Sequence, residues 1–239
     1  MLKNAYEYYQ RFYHFWKWQQ KKELNLNLVG SDVWPEDPFI TIDILQRTLQ
    51  GPDFNIPLKD LWENVDLSSC HMEYFHSFQW LKNLRQHGDS QGRLIGRDCI
   101  TQWCEHSKKL PQEAWNIDVL GRRLACWLKL YEFFAASAPE DFRKILHNSI
   151  FQQSRYLESC FIIEESPLKR LFSLKGLILS QLAIPEFEKK LRFSLQWLLN
   201  ELKMQILEDG CHYSRNPNIH NIPVETINSS CGHSCNILT

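Results

Sequence analysis

Between residues 186 and 207 the chain sets Phe187, Leu191, Leu195, Leu198, Leu199, Leu202 and Ile206 at steps of three and four. That spacing lines them along one side of an α-helix, while Glu188, Lys189, Arg192, Gln196 and Lys203 fall on the other. An apolar stripe of this length has to be covered, and a strand cannot satisfy its period. The same logic recurs upstream. Ser166-Pro167 supplies a capping residue and a proline at the first helical position, opening a helix over 167–182. Ser137 with Glu140 has capping-box spacing and opens a helix running to about Ile163. Further helices are expected at 4–20, 39–50, 72–86, 92–107 and 118–135. "VGSDVWPEDP", "GPDFNIP", "QHGDSQG" and "SKKLPQEAWN" separate them as loops rich in Gly, Pro and Asp. No stretch alternates well enough to be read as a strand. Helices joined by short loops form antiparallel αα-hairpins, so the expected class is all-α.

Composition narrows the function classes. Net charge is −1 over 239 residues, so no basic field draws the chain to nucleic acid, and an anion site has to be local. The N-terminus "MLKNAYEYYQRFYHFWKWQQKK" lacks a continuous apolar segment and a small-residue cleavage site, and no window has the length of a membrane span. Eight cysteines without an export signal read as reduced, packed thiols. As it stands the chain reads as cytoplasmic, with no membrane partner. Nine Trp and fourteen Phe suit either thick helix packing or sugar-stacking surfaces. "CGHSC" at 231–235 has the wrong spacing for a zinc site, and no phosphate loop, G-x-S-x-G or H-E-x-x-H is present. No metal or cofactor is expected, and oligomeric state is not legible.

The polar turn "EDGCHYSRNPNIH", Glu208 to His220, directly follows the last amphipathic helix and offers many hydrogen-bonding side chains with little to bury. After His220 the text changes: "NIPVETINSSCGHSCNILT" has no Lys or Arg and no helical period. The expected organisation is one helical domain over 1–220 and an irregular tail over 221–239, an ending of the kind a frameshift or early stop produces.

Four segments follow one another along the chain: "LWENVDLSSCHMEYFHSFQWLKNL", then "AWNIDVLGRRLACWLKL" with Trp115, Arg123 and Trp127, then "SRYLESCFIIEESPLKRLFSLKGLIL", and last "LLNELKMQILEDGCHYSRNPNIH". As an ordered set they resemble the N-terminal helical domain of the bacterial heparinase II/III-like polysaccharide lyases. The similarity covers about 30–220. It implies an incomplete (α/α) toroid of antiparallel helical hairpins, here lacking the family's C-terminal β-sandwich. It also implies β-elimination of a uronate-containing acidic polysaccharide, and a periplasmic site for relatives. In that reaction donors neutralise the substrate carboxylate as charge develops, a base removes the adjacent proton, and an acid protonates the leaving oxygen.

His212, which matches the family's histidine after Asp-Gly, and Tyr213, which lies in the same turn and stands in for the missing tyrosine, are the candidates for catalysis. Arg215, Asn216, His220, His76, Trp115 and Arg123 are the candidates for substrate binding. Each has a plainer alternative. His212 either meets a sugar or bonds nearby carbonyls, Tyr213 either transfers a proton or covers a helix end, and Arg215 either binds a carboxylate or pairs with Asp209. His76 and Trp115 either line a groove or belong to the core, and of Arg122 and Arg123 at least one braces the helices. Two family features are missing: "IIEESPLKRLF" has no Asn-His pair, although Lys169 or Arg170 offers positive charge, and Ile219 stands where a tyrosine precedes the histidine. The expected function is therefore a lyase fragment inactive alone, or alternatively a non-catalytic domain that binds acidic glycans. A helical scaffold ranks last, because no internal repeat of fixed period is present.

Overall fold

The computed structural model describes residues 25–30, 44–51, 54–62, 68–87, 90–107, 109–163 and 166–216. The helix expected over 4–20, His220 and the tail 221–239 lie outside them.

Two expectations fail near the start. In the described part of 39–50 only Ile44 and Leu45 are helical, and a strand follows. β1 (Thr48–Gly51) pairs antiparallel with β2 (Phe54–Pro57) in the register Leu49↔Ile56, so "GPDFNIP", expected as a loop, carries a strand over its last four residues. Leu49 and Ile56 are both buried. Strands of four residues with one such cross-strand pair are too short to display a two-residue period, and for that reason sequence pattern passes over them.

Among the described residues the remaining regular structure is helical. α1 (Ser69–Ser77) and α2 (Asn83–His87) are separated by a 3-10 turn, Gln79–Lys82. α3 (Ser90–His106) follows, then α4 (Ile117–Lys129), the short α5 (Tyr131–Ala135) and α6 (Glu140–Cys160). α7 (Pro167–Ala183) and α8 (Leu191–Gln205) complete the series. The segment expected as one helix over 72–86 breaks at Phe78, whose φ of 58° lies in the left-handed region. A bulky residue pays for that conformation, and burial repays it: Phe78 is fully enclosed, stacked on Trp62 and Trp80 and edge-on to Trp103 and Trp127. The capping box is also absent. Pro139 caps α6, and the Ser137 hydroxyl accepts a hydrogen bond from Arg97 instead.

Cross-helix contacts fix the directions of the helices. Asn116 meets Glu73, Arg123 meets the His76 carbonyl and Cys126 meets the Phe78 carbonyl, so α1 and α4 run the same way. Asp118 meets Lys169 and Gly121 meets Ser173 and Gly176, so α7 runs with them. α3, α6 and α8 run oppositely. Arg97 reaches Phe134 while Trp103 reaches Trp115, Gln153 meets Arg123 while His147 meets Tyr131, and Gln205 meets Pro167 while Arg170 meets Glu201. The result is one layer of three parallel helices, α1, α4 and α7, backed by antiparallel partners. Among the described residues the fold is all-α apart from the small hairpin. α4 and α7 approach most closely at Gly121 and Gly176, where an added Cβ would stand 2.4 Å from backbone of the other helix.

Aromatic residues fill the centre. Trp80, Trp103, Trp127, Phe75, Phe78 and Phe134 are fully buried, so within the described residues the aromatic surplus goes largely into thick helix packing.

Candidate functional site

Because α1, α4 and α7 are parallel, their N-termini meet at one end of the array, and the chain leaving α8 turns over that same end. Polar side chains collect there. Asp118, fully buried in the first turn of α4, pairs with Arg122, and Lys169 stands 3.6 Å from Asp118 and 3.5 Å from Glu73. Asn116 donates to the same Glu73 oxygen at 3.2 Å. Arg170, one residue on, donates at 2.8 Å to Glu201, which is buried on α8.

The turn itself is built on a short backbone ladder. The Leu207 amide donates to Cys211, the Tyr213 amide to Gln205, and Ile206 bridges His212. Gly210 lies past the end of α8, in the tight turn that closes this ladder, where its amide donates to Leu207 and its φ of 79° is one that glycine adopts without steric cost. Asp209 accepts from the Cys211 amide at 3.0 Å and from Arg215 at 2.6 Å, and these bonds hold its carboxyl below the usual range. The sequence offered two readings of Arg215, and the pairing with Asp209 is formed. The Arg215 side chain nevertheless stays 63% exposed on a left-handed backbone (φ 55°). Asn216 is exposed, and Tyr213 is 51% exposed with its ring 4.5 Å from that of His212.

His212 is different. It is 2% exposed and both ring nitrogens have partners: Nδ1 lies 2.7 Å from Ser214 Oγ and Nε2 lies 3.3 Å from Gln205 Oε1. Gln205 in turn donates to the Pro167 carbonyl and to Glu201, each at 2.8 Å. Sequence reading singled out His212 but not Glu201 or Gln205. The available signal was their position, three and seven residues beyond Leu198 on the side of α8 that is buried.

The upstream candidates sit elsewhere. Arg123 and His76, expected at a groove, are enclosed in the core. Arg123 donates to Gln153 at 2.6 Å and to the His76 and Ala114 carbonyls at 2.8 and 2.9 Å, with its guanidinium 4.2 Å over the Trp103 ring. It is the brace that the sequence left as an alternative. Burial lowers its pKa to about 9. Trp103 donates to His76 Nδ1 at 3.2 Å, and burial together with the nearby Arg123 pushes the His76 pKa down to about 3. Trp115 is half-buried between Trp103 and Tyr156, at the end of the 3-10 turn Gln112–Trp115 that precedes α4. Thus the structure brings His212, Tyr213, Arg215 and Asn216 to one turn and leaves His76 and Arg123 inside. His220 lies outside the described residues. Among the described residues no group of three metal-ligating side chains occurs, and no helix is long and apolar enough to cross a membrane.

The family model for the heparinase II/III N-terminus matches residues 69–233. The chain belongs to this family. The matched span takes in all of the helical array from α1 to α8 and reaches beyond His220. The heparinase II/III N-terminal fold is seen again in the crystal structure of the heparan sulfate lyase HepC from Pedobacter heparinus. That structure is similar at a TM-score of 0.61 and 18% identity, over 96% of this chain and 39% of that one. The chain therefore spans well under half the length of that lyase. No curated protein matches it.

Proposed function

We propose that this heparinase II/III N-terminal domain is the helical part of a polysaccharide lyase and that the polar end of its array holds a uronate-containing acidic polysaccharide. One observation carries the reading: Arg215 and Tyr213 project from a turn tied to the end where Lys169, Arg122 and Arg170 gather. A guanidinium suits bidentate contact with a carboxylate or sulfate, and a phenol ring suits a sugar face. Heparan sulfate is the first polymer to test, because a lyase of that polymer has this fold.

On its own the domain binds without cleaving. Ile219 cannot transfer a proton, and 162–172 contains neither Asn nor His to neutralise the substrate carboxylate. Arg170 is already committed to Glu201, and Lys169 sits between two acids. The alternative, a domain that binds acidic glycans in its own right, is favoured by the same two gaps. Incubation with heparan sulfate tests both. Absorbance from an unsaturated uronate reports elimination, and a binding titration reports capture. Capture without product is the expected result. Product would make Tyr213 or another group of this chain a catalyst, and absence of capture would remove the glycan reading.

A further inference from the structure

His212 carries the family-like motif that first suggested catalysis, yet it is buried with both nitrogens engaged. The orientation of Gln205 decides what it does. The Gln205 amide nitrogen faces two acceptors, the Pro167 carbonyl and a Glu201 carboxylate oxygen, so its oxygen must be the atom turned to His212. An oxygen accepts only. His212 Nε2 therefore carries the proton, and Nδ1 is left as an acceptor. At Nδ1 it meets the Ser214 amide at 3.2 Å and the Ser214 hydroxyl at 2.7 Å, both able to donate. One tautomer satisfies every contact. Beyond Glu201 the chain of bonds ends on Arg170, in the first turn of α7.

We propose that His212 is a positioning residue, a clamp that fixes the turn 206–216 to the N-terminus of α7 through Gln205, Glu201 and Arg170, so that Tyr213 and Arg215 are the groups offered to the ligand. This rests on the glycan-binding reading for its ligand, but the clamp is measurable without one. Glu201 and Arg170 stand on the helix side of the clamp, and the Tyr213 ring lies beside His212 on the turn side.

The test is amide hydrogen exchange at Leu207 and Tyr213, whose N–H groups form the ladder of the turn, with titration of a size-defined heparan sulfate oligosaccharide on the same proteins. His212→Ala is expected to speed exchange at both amides about tenfold or more and to weaken oligosaccharide binding to a similar extent. Two conservative variants separate the halves of the clamp. His212→Asn places an oxygen near the position of Nδ1 and keeps the Ser214 bond, whereas His212→Gln places an amide nitrogen near Nε2 and keeps the Gln205 bond. Each is expected to restore part of the protection and part of the affinity. Unchanged exchange in His212→Ala overturns the clamp. Faster exchange with full affinity overturns the positioning role. Should wild type bind no oligosaccharide, the glycan reading falls by itself, and positioning for such a ligand falls with it, while the exchange data still decide the clamp.

Discussion

The Arg123 guanidinium lies 4.2 Å over the face of Trp103, and this pair sits at the junction of three helices rather than at a surface. Around it, Arg123 satisfies Gln153 and two carbonyls from separate segments. Arg123→Met keeps much of the bulk and strands those acceptors in the core, so the variant is expected to lose roughly 3–5 kcal/mol of stability. Urea unfolding measures it. An unchanged midpoint together with weakened glycan binding would return Arg123 to the groove that the sequence suggested.

His76 supplies a pH dependence whose sign follows from its position. Trp103 donates to Nδ1, so a proton there would face an indole N–H, and burial and Arg123 oppose the charge further. The folded pKa of about 3 lies below the ordinary 6.5, so the unfolded chain binds a proton that the folded chain refuses. The neutral-histidine contribution is complete above pH 6.5 and is lost progressively as pH falls toward 3. Its full extent is on the order of 5 kcal/mol. His76→Asn retains an acceptor for Trp103 without a titrating ring. Stability compared over this window should fall less steeply in the variant than in wild type.

Gly121 and Gly176 allow α4 and α7 to touch backbone to backbone. A methyl group on Gly121 would press on the Phe172 carbonyl, and backbone has little room to yield. Gly121→Ala is expected to cost about 2–3 kcal/mol through overpacking, despite alanine's better helix propensity. Calorimetric melting reads the result, and a variant as stable as wild type would show that the helices sit further apart.

Thiol chemistry should divide the cysteines by depth. Cys99 is buried, and burial and the neighbouring Asp98 push its pKa up to about 12, whereas Cys70 and Cys211 are exposed. Alkylation of the native protein followed by mass spectrometry should label Cys70 and Cys211 and spare Cys99 until denaturant is added. Early labelling of Cys99 would mean that α3 opens in the native state.

Much of the helical framework is legible in the sequence, because capping, proline placement and apolar period all act locally. α7 begins where Ser166-Pro167 indicates, and α3 and α6 lie within two or three residues of expectation. What escapes is set by distant contacts. On α8 the buried line runs Leu191, Ser194, Leu198, Glu201 and Gln205, while Leu199, expected on the apolar side, is 48% exposed. The stripe is rotated because Arg170 and Pro167, more than thirty residues away, give Glu201 and Gln205 buried partners. Similarly, Ser137 does not cap α6, because Arg97 engages its hydroxyl. In the candidate site, residue types drew attention to this polar turn, but the division between His212 inside and Arg215 outside depends on that same α7–α8 packing.

The most direct test of the account is the affinity of the chain for a size-defined heparan sulfate oligosaccharide, measured at several salt concentrations for wild type and Arg215→Ala. The account predicts binding that weakens as salt screens the charges, and a further loss of about tenfold in the variant, worth about 1.4 kcal/mol. Equal affinity in both proteins, or none in wild type, would contradict it.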